Sequence, residues 1–320
     1  MQLNNNQVII NLIDNEIKNI MGDELPILSQ LKSYVVKSGG KRLRSLLTCQ
    51  LAALYEINNS AIYTIAAIVE IIHAASLLHD DVLDDSKTRR GKPSGKEIFG
   101  AKEVILGGDY MLAVAIHKIS EFNNSSLVKI FTQVVKDLTI AELLQLQYAN
   151  TSEINLDTYM KIIYGKTASL FRTACEAVAI FGGKEEYEIE QIGKLGTNLG
   201  ILFQIRDDYL DYFNPSLLQK PPMQDFENQF YTYPIINYFE QNGAEKNKIT
   251  EFFNLDLNDR KKSKTQNQLL SLLKELNCDS MTLAYMNELK NDVLDQLNPF
   301  NNSTELKQLK FQIEKLMILE

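Results

Sequence analysis

Two acidic clusters of the same form, Asp80-Asp81-Val82-Leu83-Asp84 and Asp207-Asp208-Tyr209-Leu210-Asp211, stand inside segments otherwise rich in Leu, Ile and Ala. Residues four apart share a helix face. Asp80 and Asp84 therefore project together with Asp81 beside them, and Asp207, Asp208 and Asp211 do the same. Like charges so placed destabilise an isolated helix. A chain that carries this arrangement twice among apolar neighbours is suited to binding polyvalent cations between the two faces. Hard carboxylate oxygens with open positions suit Mg2+ that also takes phosphate oxygens. The pattern points to an enzyme acting on a diphosphate.

The rest of the chain is compatible with a large helical core. Of 320 residues, 45% are hydrophobic and 23% charged, an ordinary globular composition. Gly and Pro are scarce, and no Gly/Ser-rich linker or short repeat divides the chain. Leu, Ile and Ala recur at helical spacing, and no alternating strand pattern is evident. The spacing predicts helices near 6–21, 25–37, 41–56, 60–85, 101–121, 124–150, 155–181, 184–213, 226–241, 245–254, 259–276, 279–296 and 303–318. We expect an all-α single domain over 1–320, with its core at about 25–240. A polar helical annex, rich in Asn, Lys and Glu, follows at about 241–320.

The net charge of −8 argues against a general nucleic-acid binder. Cys49, Cys175 and Cys278 have no metal-type spacing and fit reduced thiols, so a cytoplasmic location is expected. The first residues lack a basic-then-apolar signal pattern. The longest apolar stretch, Thr64 to Leu78, is interrupted by Glu70 and His73 and reads as a core helix rather than a membrane span. Membrane contact is expected to be peripheral at most.

Basic groups accompany the acidic ones. Lys41, Arg42 and Arg44 follow Gly39-Gly40, and Arg89, Arg90 and Lys92 follow the first acidic cluster. A metal-free phosphate needs Arg and Lys donors, although a solvated helix start would carry the same short run. His73 lies two helical turns before Asp80, as a phosphate donor or a satisfied core residue. Gln204 shares a stripe with Asp207, Asp208 and Asp211 between apolar Phe203 and Ile205. Lys166-Thr167 interrupts an otherwise apolar helix, Tyr159 to Ala179, where a lysine is commonly exposed.

Taken in order, these motifs resemble the trans-isoprenyl diphosphate synthases, of the medium- or long-chain type. The match runs through Gly-Gly-Lys-Arg-Leu-Arg at 39–44, His73, Leu-Leu-His-Asp-Asp-Val-Leu-Asp at 77–84 and Arg-Arg-Gly at 89–91. It continues with Gly-Asp-Tyr at 108–110, Gly-Lys-Thr at 165–167 and Phe-Gln-Ile-Arg-Asp-Asp-Tyr-Leu-Asp at 203–211, covering roughly residues 30–240. The resemblance implies helices around a deep central cavity and a homodimer. It implies that Asp80, Asp81, Asp84, Asp207, Asp208 and Asp211 bind Mg2+, three ions per active site, together with the allylic diphosphate. Lys41, Arg44, His73 and Arg90 would bind isopentenyl diphosphate. Arg89, Lys166, Thr167, Gln204 and Lys220 would hold the allylic substrate, with Lys166, Thr167 and Gln204 stabilising the allylic cation.

Two departures stand out. The family's glycine-bearing loop with two lysines here reads Lys220-Pro221-Pro222-Met223-Gln224-Asp225-Phe226-Glu227-Asn228-Gln229-Phe230-Tyr231-Thr232-Tyr233-Pro234. Met223 and Gln229 replace glycines, and Phe230 replaces the second lysine. Ser45 also stands where the family usually closes its basic motif with proline.

The implied reaction is head-to-tail elongation to an all-trans polyprenyl diphosphate. Small residues one turn before Asp80, Ala75 and Ser76, predict a product longer than C20, because a bulky residue there would block the growing chain; they would equally permit close helix packing. A geranylgeranyl- or farnesyl-length synthase, a terpene synthase and a weakly active partner subunit are the alternatives. A terpene synthase normally carries one such acidic motif and lacks the basic cluster. Phe230 favours a partner subunit, and retention of all six aspartates opposes it.

Overall fold

The computed structural model describes residues 2–37, 40, 42–89, 91–149, 151–217, 222–241, 243–301 and 303–316, with side chains from residue 6 to residue 315. Lys41, Arg90 and Lys220 lie outside the described residues. In chain order the helices are α1 (Gln2–Ile20), α2 (Pro26–Lys37), α3 (Leu43–Leu54), α4 (Ala61–Leu83), α5 (Gly95–Phe99), α6 (Ala101–Ser120) and α7 (Ser125–Gln147). Next come α8 (Leu156–Ile163), a π-helical turn (Tyr164–Ala168), α9 (Ser169–Phe181), α10 (Glu186–Phe213) and a 3-10 turn (Pro215–Leu217). The remainder are α11 (Gln224–Glu227), α12 (Tyr233–Gln241), α13 (Lys246–Phe253), α14 (Leu257–Arg260), α15 (Ser263–Glu275), α16 (Cys278–Gln296) and α17 (Thr304–Leu316).

The expected all-α class holds, with one addition. A two-residue antiparallel hairpin, β1 (Thr88–Arg89) and β2 (Lys92–Pro93), turns at Gly91 with φ 73°. Strands this short leave no alternation to read. The helix predicted over 155–181 contains the π turn. The one predicted over 226–241 is two helices, α11 and α12.

The chain forms two compact units. The first comprises Met1–Leu138, Ser169–Gly196 and Asn298–Leu309, and the second Thr139–Ala168, Thr197–Leu297 and Lys310–Glu320. In the first, α4 is the central element, packed by α6, α1, α3 and α9. Ile65, Ile68, Ile71, Ile72 and Ala75 are fully buried, because a helix apolar on nearly every side must be surrounded. By length and composition α4 could cross a bilayer, but most of it is buried among its neighbours. Close approach to α6 depends on Gly108, where an added Cβ would stand 2.3 Å from the His79 ring.

The second unit is built on an apolar cluster that includes Leu202, Ile205, Leu210, Phe226, Ile235 and Ile236. Ile249, Phe253, Leu269, Leu273, Cys278 and Met286 belong to the same cluster. The residues beyond 240 are therefore part of a core rather than a solvated annex. Their polar composition masks a buried stripe on each helix. Stacked rings of Tyr233 and Tyr285 (5.0 Å) and of Tyr231 and Phe253 (4.1 Å) reinforce it. Buried Arg260 completes the joint, donating to the carbonyl oxygens of Glu227, Phe253 and Leu255.

Candidate active site

The first acidic motif ends α4, and its three carboxylates have different surroundings. Asp81 is fully buried. Its Oδ1 accepts from Arg89 Nε at 2.6 Å, and its Oδ2 from the Gly95 N–H at 3.0 Å. It therefore anchors the hairpin and the start of α5 to α4. Ser94 caps α5 by accepting from Glu97 N and donates to Ser86 O at 2.6 Å. Asp80 is partly exposed and Asp84 exposed. Arg89, expected at the allylic substrate, thus makes its ion pair with Asp81.

Upstream on α4, His73 is half-buried, Ala75 is buried, and the Ser76 hydroxyl donates to His73 O at 2.9 Å. Arg44 is half-buried, with its guanidinium 4.5 Å over the Phe171 ring, a cation–π contact that fixes its planar head. The Gly-Asp-Tyr motif makes structural contacts. Gly108 admits the His79 ring, while the Tyr110 hydroxyl accepts from Gly22 N and donates to Glu24 Oε2, both at 3.0 Å.

The second acidic motif ends α10, in the second unit. Asp208 is 2% exposed. Its Oδ2 accepts from the Tyr159 hydroxyl and from Tyr233 N at 3.3 Å, and its Oδ1 from Gln204 Nε2 at 3.0 Å. The Gln204 amide oxygen accepts from Thr167 Oγ1 at 2.8 Å, which fixes the amide's orientation. Desolvation raises the Asp208 carboxyl to about pKa 6, against the lowering effect of these donors. Asp211 is fully buried, its oxygens accepting from Gln224 N (3.2 Å) and Asp225 N (3.0 Å) at the start of α11. Asp207 remains partly exposed.

Lys166 and Thr167 sit in the π turn, a widened turn common at functional sites. The Lys166 ammonium pairs with Glu142 Oε1 at 2.7 Å and Gln145 Oε1 at 2.9 Å. The loop after Asp211 keeps left-handed corners where glycines were expected: Met223 and Gln229 both have φ 59°. Met223 is buried, and Gln229 Nε2 donates to Phe253 O at 2.7 Å. These contacts hold a conformation that costs a non-glycine residue about 1–2 kcal/mol.

Two site residues, and the partners of a third, are not evident from sequence. Tyr159 and Tyr233 orient Asp208 from distant segments and gave no signal. Arg42, buried against Glu70 and Asp14, had one: an acidic residue within the apolar run 64–78 requires a partner.

The motifs arranged in this way have a counterpart in known proteins. The family model described as polyprenyl synthetase matches residues 25–273. Solanesyl-diphosphate synthase 2, chloroplastic, of Oryza sativa subsp. japonica is 36% identical over 232 residues, 70% of this chain and 57% of that protein. The chain thus spans under two thirds of that relative's length. Octaprenyl diphosphate synthase of Haemophilus influenzae is 34% identical over 227 residues, 71% of this chain and 69% of that protein. The crystal structure of a polyprenyl synthase from Caulobacter crescentus, complexed with calcium and isoprenyl diphosphate, superposes with a TM-score of 0.87 at 28% identity, covering 97% of this chain and 94% of that one. With the family model matched over residues 25–273, more than three quarters of its length, the chain belongs to the polyprenyl synthetase family.

Proposed function

We propose that the chain extends an allylic diphosphate head-to-tail with isopentenyl diphosphate, giving an all-trans polyprenyl diphosphate longer than C20. The observation that carries this reading is the division of labour within both acidic motifs. Asp81, Asp208 and Asp211 are buried, with oxygens committed to protein donors. Asp80, Asp84 and Asp207 are the accessible ones. We therefore assign these three to Mg2+ and the buried three to orienting them.

The donor set fits that ion. Among the described residues no three His, Cys, Asp or Glu side chains form a ready cage. Mg2+ suits such a site, since it binds through one or two carboxylates and completes its shell with water and phosphate oxygens. When bound, Mg2+ neutralises the diphosphate and makes it a better leaving group. Arg44 and His73, with Lys41 and Arg90, would hold the metal-free diphosphate of isopentenyl diphosphate. As the allylic C–O bond breaks, the Thr167 and Gln204 dipoles and the carbonyl of Lys166 would stabilise the developing cation, which must be kept from water. The alkene of isopentenyl diphosphate attacks, and the released diphosphate takes the proton. Lys166 acts here through its backbone, since its ammonium is paired with Glu142.

The relatives' names, solanesyl and octaprenyl, support a long product, as do small Ala75 and Ser76. An exposed apolar stripe on α7, Ile140, Leu143 and Leu146, supports the homodimer. Three buried cysteine thiols fit a reducing, cytoplasmic setting. The purified chain, given primer, isopentenyl diphosphate and Mg2+, is expected to make a product beyond C20 and to stop on chelation. Ala75→Phe with Ser76→Phe is expected to shorten it. A wild-type chain that elongates nothing, with or without Mg2+, would refute the assignment.

A further inference from the structure

Arg42, the middle cation of the basic run, is committed to two carboxylates of its own chain. It is 5% exposed, and its backbone takes the left-handed conformation, φ 50° and ψ 36°, just before α3. Nη1 donates to Glu70 Oε2 at 2.9 Å and Nη2 to Asp14 Oδ1 at 2.8 Å. The Ser45 hydroxyl donates to the second Glu70 oxygen, Oε1, at 2.9 Å and lies 3.1 Å from the Arg42 carbonyl oxygen. One side chain thus joins α1 through Asp14, α4 through Glu70, and the start of α3, which it precedes.

A buried charge persists only when paired. A planar guanidinium can bridge two carboxylates at fixed angles, which a lysine ammonium cannot do equally well. A strained φ survives where the surroundings over-determine it, and here two ion pairs and a hydroxyl do so. The bridge connects functional residues on both sides. Arg44 lies two residues after Arg42, and His73 lies three after Glu70, on the same side of α4.

We propose that Arg42 is a positioning residue for the diphosphate of isopentenyl diphosphate. The Arg42–Glu70–Asp14 bridge, closed by Ser45, fixes the start of α3 on α4 and so holds Arg44 and His73 ready for the metal-free diphosphate. Ser45 contributes here because it replaces a proline, which would bring no hydroxyl to Glu70. The inference rests on the chain being an isoprenyl elongation enzyme.

Steady-state kinetics of the full chain with an allylic primer, isopentenyl diphosphate and Mg2+ test it, each variant paired with a thermal melt. In Arg42→Lys and Glu70→Gln the KM for isopentenyl diphosphate is expected to rise about tenfold or more, a loss of about 1.4 kcal/mol in binding. In Ser45→Ala and Ser45→Pro it rises by about two- to fivefold, while the KM for primer and kcat stay within about threefold throughout. Should the charge variants fail to fold, the Ser45 pair carries the test. A folded set whose KM for isopentenyl diphosphate is unmoved, or whose losses merely follow the unfolded fraction, overturns the bridge. A wild-type chain that consumes no isopentenyl diphosphate overturns the functional reading, and this proposal with it.

Discussion

The second aspartate of the first acidic motif, Asp81, is buried against a cation, whereas its counterpart in the second, Asp208, is buried against a phenol, an amide and a backbone N–H. The two motifs spell the same pattern. Their buried carboxylates nevertheless sit in different electrostatic surroundings. Arg89 supplies opposite charge to Asp81 from a hairpin only a few residues downstream. The neutral donors around Asp208 only partly offset its desolvation, and its carboxyl is raised to about 6. One motif is fixed by charge and the other by a hydrogen-bond network reaching from Tyr159 to Tyr233.

The comparison can be broken at the accessible carboxylates first. Asp80→Ala and Asp207→Ala are expected to lower kcat by about a thousandfold each, about 4 kcal/mol of barrier. A loss under about tenfold in either would remove that motif from metal binding. Next in size is the buried ion pair. Asp81→Asn leaves Arg89 without its partner and is expected to cost about 2 kcal/mol of stability, less than a fully buried pair because Arg89 is partly exposed. Asp208→Asn keeps a polar group in its network and is expected to cost less at neutral pH; chemical denaturation of both variants decides the ranking.

The smallest effect depends on pH. The folded pKa of Asp208, about 6, lies above its ordinary value of 3.8, so folding favours the protonated carboxyl. That stabilisation is fully present below about pH 4 and is lost as pH rises through 6. In metal-free buffer, wild type should lose about 1–2 kcal/mol relative to Asp208→Asn between pH 4 and pH 7. A difference independent of pH would show that Asp208 is ionised throughout.

How much of this was legible in the sequence depends on the distance between partners. The bounds of α2, α4, α6 and α7 follow from apolar periodicity to within a few residues. The π turn at Tyr164–Ala168 escapes because one inserted residue does not interrupt a run of apolar side chains. The break between α11 and α12 escapes because a left-handed Gln229 carries no propensity signal. The acidic pattern was plain, yet which carboxylates are accessible was not. Burial of Asp208 depends on Tyr159 and Tyr233, and nothing in the local sequence around Asp208 announces either. The polar tail hid its core residues for a related reason: each of its helices buries only a narrow stripe.

Met223 and Gln229 carry a consequence for anyone recombining this chain with its relatives. A glycine at either corner would release backbone strain in the folded protein while enlarging the conformational freedom of the unfolded one. It would also remove a packed thioether from one corner and a carbonyl clasp from the other. Transplanting a glycine-bearing segment with its second lysine would therefore alter the loop's backbone freedom and its positive charge together. Single exchanges at 223, 229 and 230 are the way to tell those two contributions apart.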